Sequence, residues 1–285
     1  MAEAVGFYTD TTVCIGCKAC QVACHQWNAL PAWSSEPQQE GEVLLPTLSG
    51  DSYDNTRSLS AVNWRHVKFI EQFSPDPQRS DAAWLMMSDV CKHCVNAPCL
   101  EVCPTGAIIR TEFDTVYINE PACNACRDCV AACPFGVIHM SKTTGLAQKC
   151  TFCYDRLREG LAPACAQVCP TRSIRFGSLA ELKREANVRL QQLHRQGLSQ
   201  ARLYGADDKV LGGLNAFYLL MDEPEVYGLP SEPIVPSRLV LPSTLWSVLT
   251  GLLVTLGVLF RFRQRGGQPG KPDRDATRRP EEHQP

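Results

Sequence analysis

The chain has 285 residues, 44% of them hydrophobic, and a net charge of −2, so it can bury a sizeable core and has no global basic field pointing to nucleic acid. Its 16 cysteines are the outlying feature. An even count suggests disulfides in a small secreted domain, but this chain is not small, residues 1–10 show no basic stretch leading into an apolar one, and the cysteines are clustered.

In chain order, the first cysteine group opens almost at once, at Cys14, Cys17, Cys20 and Cys24. Residues 30–60, rich in Pro, Ser, Gly and acidic side chains, read as a surface insertion, which the organisation extends to 30–82. β-type runs at 63–69 and 83–87 follow, the second delivering the chain to Cys91. The second group is Cys91, Cys94, Cys99 and Cys103, and the third is Cys123, Cys126, Cys129 and Cys133. Between them, 107–109 and 115–118 predict a hairpin. An apolar run at 136–140 leads on to the fourth group, Cys150, Cys153, Cys165 and Cys169, and then to another β-type run at 173–176. The recurrence of Cys-Pro, then Gly or Ser, then a β-branched run is an internal repeat.

A charged helix is predicted over 179–196, with Leu179, Leu182, Ala186, Leu190 and Leu193 on one face. Strand-like sequence at 215–221 precedes a proline-rich linker, 223–236. Residues 239–260 carry no charge and lie between Arg238 and Arg261. As a helix this stretch spans roughly 33 Å, enough to cross a hydrocarbon core. It is apolar on all sides, unlike a core helix with one buried stripe, and Trp246 suits an interface anchor. Arg261, Arg263, Arg265 and Lys271 follow it, whereas only Arg238 is basic just before it. That bias predicts a cytoplasmic C-terminus, with the cysteine-rich part on the outer, periplasmic face. The polar tail, 262–285, is expected to be disordered.

Three closely spaced cysteines in one loop suit a [4Fe–4S] cubane, gripping three irons while a fourth thiolate comes from elsewhere. In two-cluster ferredoxins the last cysteine of one group ligates the other group's cluster. Pro104, Pro134 and Pro170 follow that last cysteine in three of the groups. A structural zinc site closes with two ligand pairs and has no use for this three-plus-one spacing. Groups two and three are separated by a hairpin-length segment and pair with each other, which leaves one and four to pair across the chain. The expected ligand sets, each numbered by the group supplying three of its cysteines, are as follows: set one, Cys14, Cys17, Cys20 and Cys169; set two, Cys91, Cys94, Cys99 and Cys133; set three, Cys123, Cys126, Cys129 and Cys103; set four, Cys150, Cys153, Cys165 and Cys24.

The fold class expected is α+β, with two pseudo-symmetric ferredoxin-like units, each holding two of four [4Fe–4S] clusters, and one C-terminal transmembrane helix. Residues 1–29 with 141–178 form one unit and 83–140 the other; 179–237 is helix, strand and linker, and 238–261 the membrane helix. Lys18, Lys92, Arg127 and Lys149 lie in or beside the groups, where each is either a cation stabilising a reduced cluster or an ordinary solvated charge. His25 and His93 can donate to a thiolate, but with four cysteines per site neither is needed as a ligand. No Gly-rich phosphate loop and no fixed-spacing pair of titratable groups appears outside the clusters, so no catalytic residue is expected and a partner does the chemistry.

The run from Cys14 to Cys24, with Trp27-Asn28 after it, resembles the first cluster motif of the iron–sulfur beta subunit of respiratory, membrane-bound formate dehydrogenase. The resemblance continues through Lys149-Cys150-Thr151, Cys153, Pro163-Ala164-Cys165, Cys169-Pro170-Thr171 and Tyr227-Gly228-Leu229-Pro230, and ends in the same single membrane helix. It implies an alpha subunit oxidising formate at a molybdenum or tungsten pterin centre and a cytochrome b gamma subunit passing electrons to quinone. It also implies the nested ligand pairing just given, and export of the folded subunit with a signal-bearing partner. The broader motif set is shared with four-cluster subunits of other molybdopterin oxidoreductases and membrane hydrogenases, which are the alternative reading. A membrane-anchored zinc or disulfide protein is a rival of a different class, separated from both by iron and acid-labile sulfide content.

Overall fold

The computed structural model describes residues 3–32, 53–54, 56, 58–72 and 83–266. It resolves into two units, Met1–Ser237 and Arg238–Pro285.

The first unit opens with β1 (Val5–Asp10), a 3-10 turn (Thr11–Val13) and α1 (Ala19–Trp27). Then come β2 (Arg65–Gln72), β3 (Ala83–Val90), α2 (Pro98–Glu101), β4 (Ile108–Arg110) and β5 (Val116–Ile118). A second 3-10 turn (Glu120–Ala122) precedes α3 (Asp128–Ala132), β6 (His139–Met140), β7 (Ala147–Gln148), α4 (Tyr154–Arg158) and α5 (Ala164–Gln167). β8 (Ile174–Ser178), α6 (Leu179–Arg195), β9 (Arg202–Tyr204), β10 (Ala216–Leu220) and a 3-10 turn (Pro224–Tyr227) complete it.

The architecture is mixed α/β. A four-stranded sheet runs β8-β1-β10-β9, with β1 parallel to β10 and antiparallel to β8. Inner strands with both faces covered need apolar sequence throughout, and β10 meets this with five buried residues, Ala-Phe-Tyr-Leu-Leu. α6 packs on β1 and β8 through Leu182, Ala186 and Leu193, the stripe expected from its period. Three two-stranded antiparallel ribbons complete the strands among the described residues. β2 pairs with β3 from Arg65↔Val90 to Gln72↔Ala83, β4 pairs with β5, and β6 pairs with β7.

Two sequence expectations change. Residues 1–10, read only for what they lack, supply the inner strand β1, whose Phe7 and Tyr8 are buried. The 223–236 linker is not a free tether, because it buries Tyr227, Leu229 and Val235. Lys68 Nζ donates to the Tyr227 carbonyl at 2.9 Å and Tyr204 Oη donates to the Pro230 carbonyl at 2.5 Å, fixing its course. The expected surface insertion falls largely on residues outside those described, although Leu59, Ala61, Val62 and Trp64 near its end are core residues.

The second unit contains α7 (Ser237–Gly266), in which Thr244–Arg263 is long and apolar enough to cross a membrane, with mean hydropathy 1.8. The tail expected to be disordered lies, from residue 267 on, outside the described residues.

Candidate metal centres

Each cysteine group sits where a strand or turn hands over to a short helix. Asp10, at the end of β1, accepts from Thr12 N at 3.0 Å and caps the 3-10 turn that delivers Cys14. Arg189 of α6 donates to the other Asp10 oxygen at 3.2 Å. The residue two past the first cysteine is left-handed in every group: Gly16, His93, Ala125 and Phe152 have φ of +65°, +45°, +60° and +62°. Alternation into this region turns successive N–H groups toward one side, which suits a bound anion. After the last cysteine of groups two, three and four, a turn closes by Gly106 N to Cys103 O, Gly136 N to Cys133 O and Arg172 N to Cys169 O, at 3.3, 3.1 and 3.2 Å. The proline in each turn has the φ its position needs.

The helices bring the groups together in two pairs. α1, carrying Cys20 and Cys24, packs on α5, carrying Cys165; α2, carrying Cys99, packs on α3, carrying Cys129. One hollow is lined by Cys14, Cys17, Cys20 and Cys169, with Ser88 and Val67. A second is lined by Cys91, Cys94, Cys99 and Cys133, with Ile138 and Val116. A third is lined by Cys103, Cys123, Cys126 and Cys129, with Ile108 and Ile118. Cys24, Cys150, Cys153 and Cys165 are all buried, and burial pushes the Cys24 thiol well up, with Cys150, Cys165 and Cys153 adding to the effect.

All sixteen cysteines are unpaired. Among the described residues no group of His, Cys, Asp or Glu is gathered tightly enough to hold one metal ion. The thiols of sets one, two and three instead line hollows in fours, and this all-thiol donor set fits a polynuclear cluster rather than a zinc ion. Burial pushes Cys20 and Cys153 up to about 11 and Cys150 and Cys99 up to about 12, so positively charged iron is what would hold them as thiolates.

Electrostatic neighbours link one set to the next. Beyond burial itself, Cys165 acts on Cys20, Cys91 acts on Cys150, and Cys129 acts on Cys99. The order is therefore set one, set four, set two, set three. Cys17 in set one and Cys126 in set three are exposed, whereas every cysteine of set four is buried.

The basic residues divide. Lys92 and Lys149 are buried; Lys92 pairs with Asp89 and donates to Val90 O at 2.7 Å, and Lys149 donates to Val116 O and Cys150 O at 2.5 and 3.0 Å. Lys18 is half-buried over the Phe69 ring and Arg127 is exposed. His93 is fully buried, and its Nδ1 accepts from Val116 N at 3.1 Å, so it is neutral; burial holds its pKa well below the usual value. Sequence reasoning missed Arg65, a buried guanidinium at the start of β2, since nothing in a strand-like run distinguishes a buried arginine from an edge charge.

Sixteen free thiols, twelve of them gathered in fours around three hollows and the other four buried together, on a mixed α/β scaffold, define an iron–sulfur electron-transfer protein. Residues 13–107 and 82–179 each match the 4Fe-4S dicluster domain family, and together they include every cysteine. Two such domains and sixteen cysteines are consistent with four [4Fe–4S] clusters. The chain is 34% identical over 257 residues to the nitrate-inducible formate dehydrogenase iron–sulfur subunit of Escherichia coli (strain K12), covering 89% of this chain and 80% of that one. It is 38% identical over 241 residues to the formate dehydrogenase iron–sulfur subunit of Haemophilus influenzae, covering 83% and 70%. It is also 36% identical over 188 residues to the thiosulfate reductase electron transfer subunit of Salmonella typhi, covering 66% and 82%. The chain belongs to the family of formate dehydrogenase iron–sulfur subunits.

Proposed function

We propose that this chain is the relay subunit of a membrane-bound formate dehydrogenase, carrying electrons from a molybdopterin catalytic subunit through four [4Fe–4S] clusters toward a cytochrome b subunit and quinone. The observation that carries the reading is the row of ligand sets, buried in the middle and exposed at both ends. A relay between two partners needs that layout. A storage protein or a zinc scaffold does not.

The four sets, as expected from the sequence, are Cys14, Cys17, Cys20 and Cys169; Cys91, Cys94, Cys99 and Cys133; Cys123, Cys126, Cys129 and Cys103; and Cys150, Cys153, Cys165 and Cys24. They divide between two ferredoxin-like halves. When bound, each cluster supplies a site that takes up and gives back one electron without a proton. The chain's own residues do the rest. Val67 and Ile174 at set one and Val116, Val137 and Ile138 at set two keep water from the thiolates. Ser88 Oγ lies 3.2 Å from Cys20 Sγ, and Phe152 N donates to Cys150 Sγ at 3.3 Å, holding both sulfurs in place. α7 anchors the subunit in the bilayer, its C-terminal arginines facing the cytoplasm and the cysteine-rich unit facing the periplasm.

Relay for another molybdopterin oxidoreductase is the second reading, favoured by the likeness to the thiosulfate reductase subunit. That likeness covers a smaller share of this chain than the formate dehydrogenase relatives do. Purification of the native complex decides between them. Formate-dependent quinone reduction that is lost when this chain is deleted supports the first reading, and turnover with thiosulfate or a sulfoxide but not formate overturns it.

A further inference from the structure

Arg65 is 1% exposed and, among the described residues, has no carboxylate partner. Burying an unpaired guanidinium is unfavourable unless an anion compensates. Its Nη1 donates to Ser88 Oγ at 3.0 Å, its guanidinium carbon lies 5.0 Å from the Phe7 ring centroid, and Phe7 stacks at 4.0 Å on Phe152, which sits between Cys150 and Cys153 of set four. Nη2 is buried without a hydrogen-bond partner. Because Ser88 accepts from the arginine, its own hydroxyl proton is free to point at Cys20 Sγ, 3.2 Å away. Burial by itself disfavours the charged form of Arg65, and the thiols of Cys165, Cys20, Cys150 and Cys24 act the opposite way, favouring the cation. Cys20 belongs to set one and the other three to set four. The other buried cations near the sets already have partners, Asp89 for Lys92, two carbonyls for Lys149, and the Ala162 carbonyl and Gln167 side chain for Arg156.

We propose that Arg65, held by Ser88 and Phe7 between set one and set four, is the fixed counter-charge that raises the reduction potentials of those two sites and leaves the other two unaffected. The inference rests on the reading that the sets hold cubanes. A cluster gains one negative charge on reduction, and no bond forms or breaks. A permanent cation in a low-dielectric wall favours the more negative state. Both sites feel the same residue, so their potentials rise together and its charge by itself changes the step between them little. Ser88 passes part of the effect to set one alone, through its hydrogen bond to Cys20.

The test is an EPR-monitored redox titration of the full chain, purified anaerobically, with iron counted first. Wild-type protein without iron defeats the cubane reading itself, before Arg65 is in question. In Arg65→Gln, two of the four potentials are expected to fall, each by at least tenfold in the reduction equilibrium, about 59 mV for one electron. Arg65→Lys is expected to restore them in large part. Four unchanged potentials in loaded Arg65→Gln, or a shift spread over all four, overturn the proposal. Should Arg65→Gln fail to load, Ser88→Ala decides. It is expected to lower one potential, and four unchanged values there overturn the proposal equally.

Discussion

Gly16 and Ala125 hold the same place in groups one and three, two residues past the first cysteine, with φ of +65° and +60°. Only Gly16 is crowded, since a Cβ there would meet Phe69 Cε1 at 2.6 Å and Met86 Sδ at 2.7 Å. Gly16→Ala therefore combines left-handed strain with a clash and should cost about 1–3 kcal/mol. Its loop positions three of the four thiols of set one. Iron content should fall from about sixteen to about twelve atoms per chain, as expected when one cubane of four is lost. Ala125→Gly, which only relaxes the backbone, should leave the count unchanged. Equal iron in both variants, measured by colorimetric assay, would sink the account of the loop. Lys149 is a different case, because its ammonium is buried and donates to Val116 O and Cys150 O, joining β5 to the start of group four. Lys149→Met leaves both carbonyls without that donor and should destabilise the chain by about 2–4 kcal/mol in denaturant titration of the holoprotein. A change below about 0.5 kcal/mol would place the amine among solvated charges.

Among the elements, those whose signals are local were legible in the sequence. The hairpin at β4 and β5, the stripe of α6 and the long apolar α7 all lie close to where periodicity and composition put them. The ribbon of β2 and β3 was visible as two runs, though it extends to Gln72 and Val90. Long-range pairing was not legible. β1 lies parallel to β10 across most of the chain, and no property of a six-residue strand names its partner. The repeated left-handed position was hidden too, because only Gly16 among its four occupants is a residue that announces that backbone. The buried run 223–236 read as a linker because prolines punctuate it, while Tyr227 and Leu229, which dock it, look like any apolar pair. α7 forms a unit of its own, so it can be tested separately. A chain ending at Pro236 should leave the membrane fraction and stay in solution without detergent, yet keep its full iron content. Retention in washed membranes, with no partner subunit present, would show that something other than α7 anchors the chain.

For the whole molecule, what matters is that burial is graded along the row of ligand sets. Set four is buried throughout and set two nearly so, whereas Cys17 and Cys126 expose the two ends. A row laid out this way lets partners approach the terminal sites while the inner pair stays dry and low in dielectric, where fixed charges such as Lys149 act at full strength. The same grading exposes the ends to attack. A chelator or dissolved oxygen reaches iron through an exposed thiolate far more readily than through a packed wall, and inner sites open only when the surrounding core does. Isolated protein treated with a ferrous chelator should therefore lose iron in two phases of similar size. The fast phase should belong to the sites holding Cys17 and Cys126. The slow phase should track global unfolding, quickening in urea with the same denaturant dependence as loss of secondary structure. Docking a partner onto either end should slow the corresponding half of the fast phase and leave the slow phase unchanged. One uniform phase, or a slow phase insensitive to urea, would mean that exposure in the folded chain does not govern access to the iron.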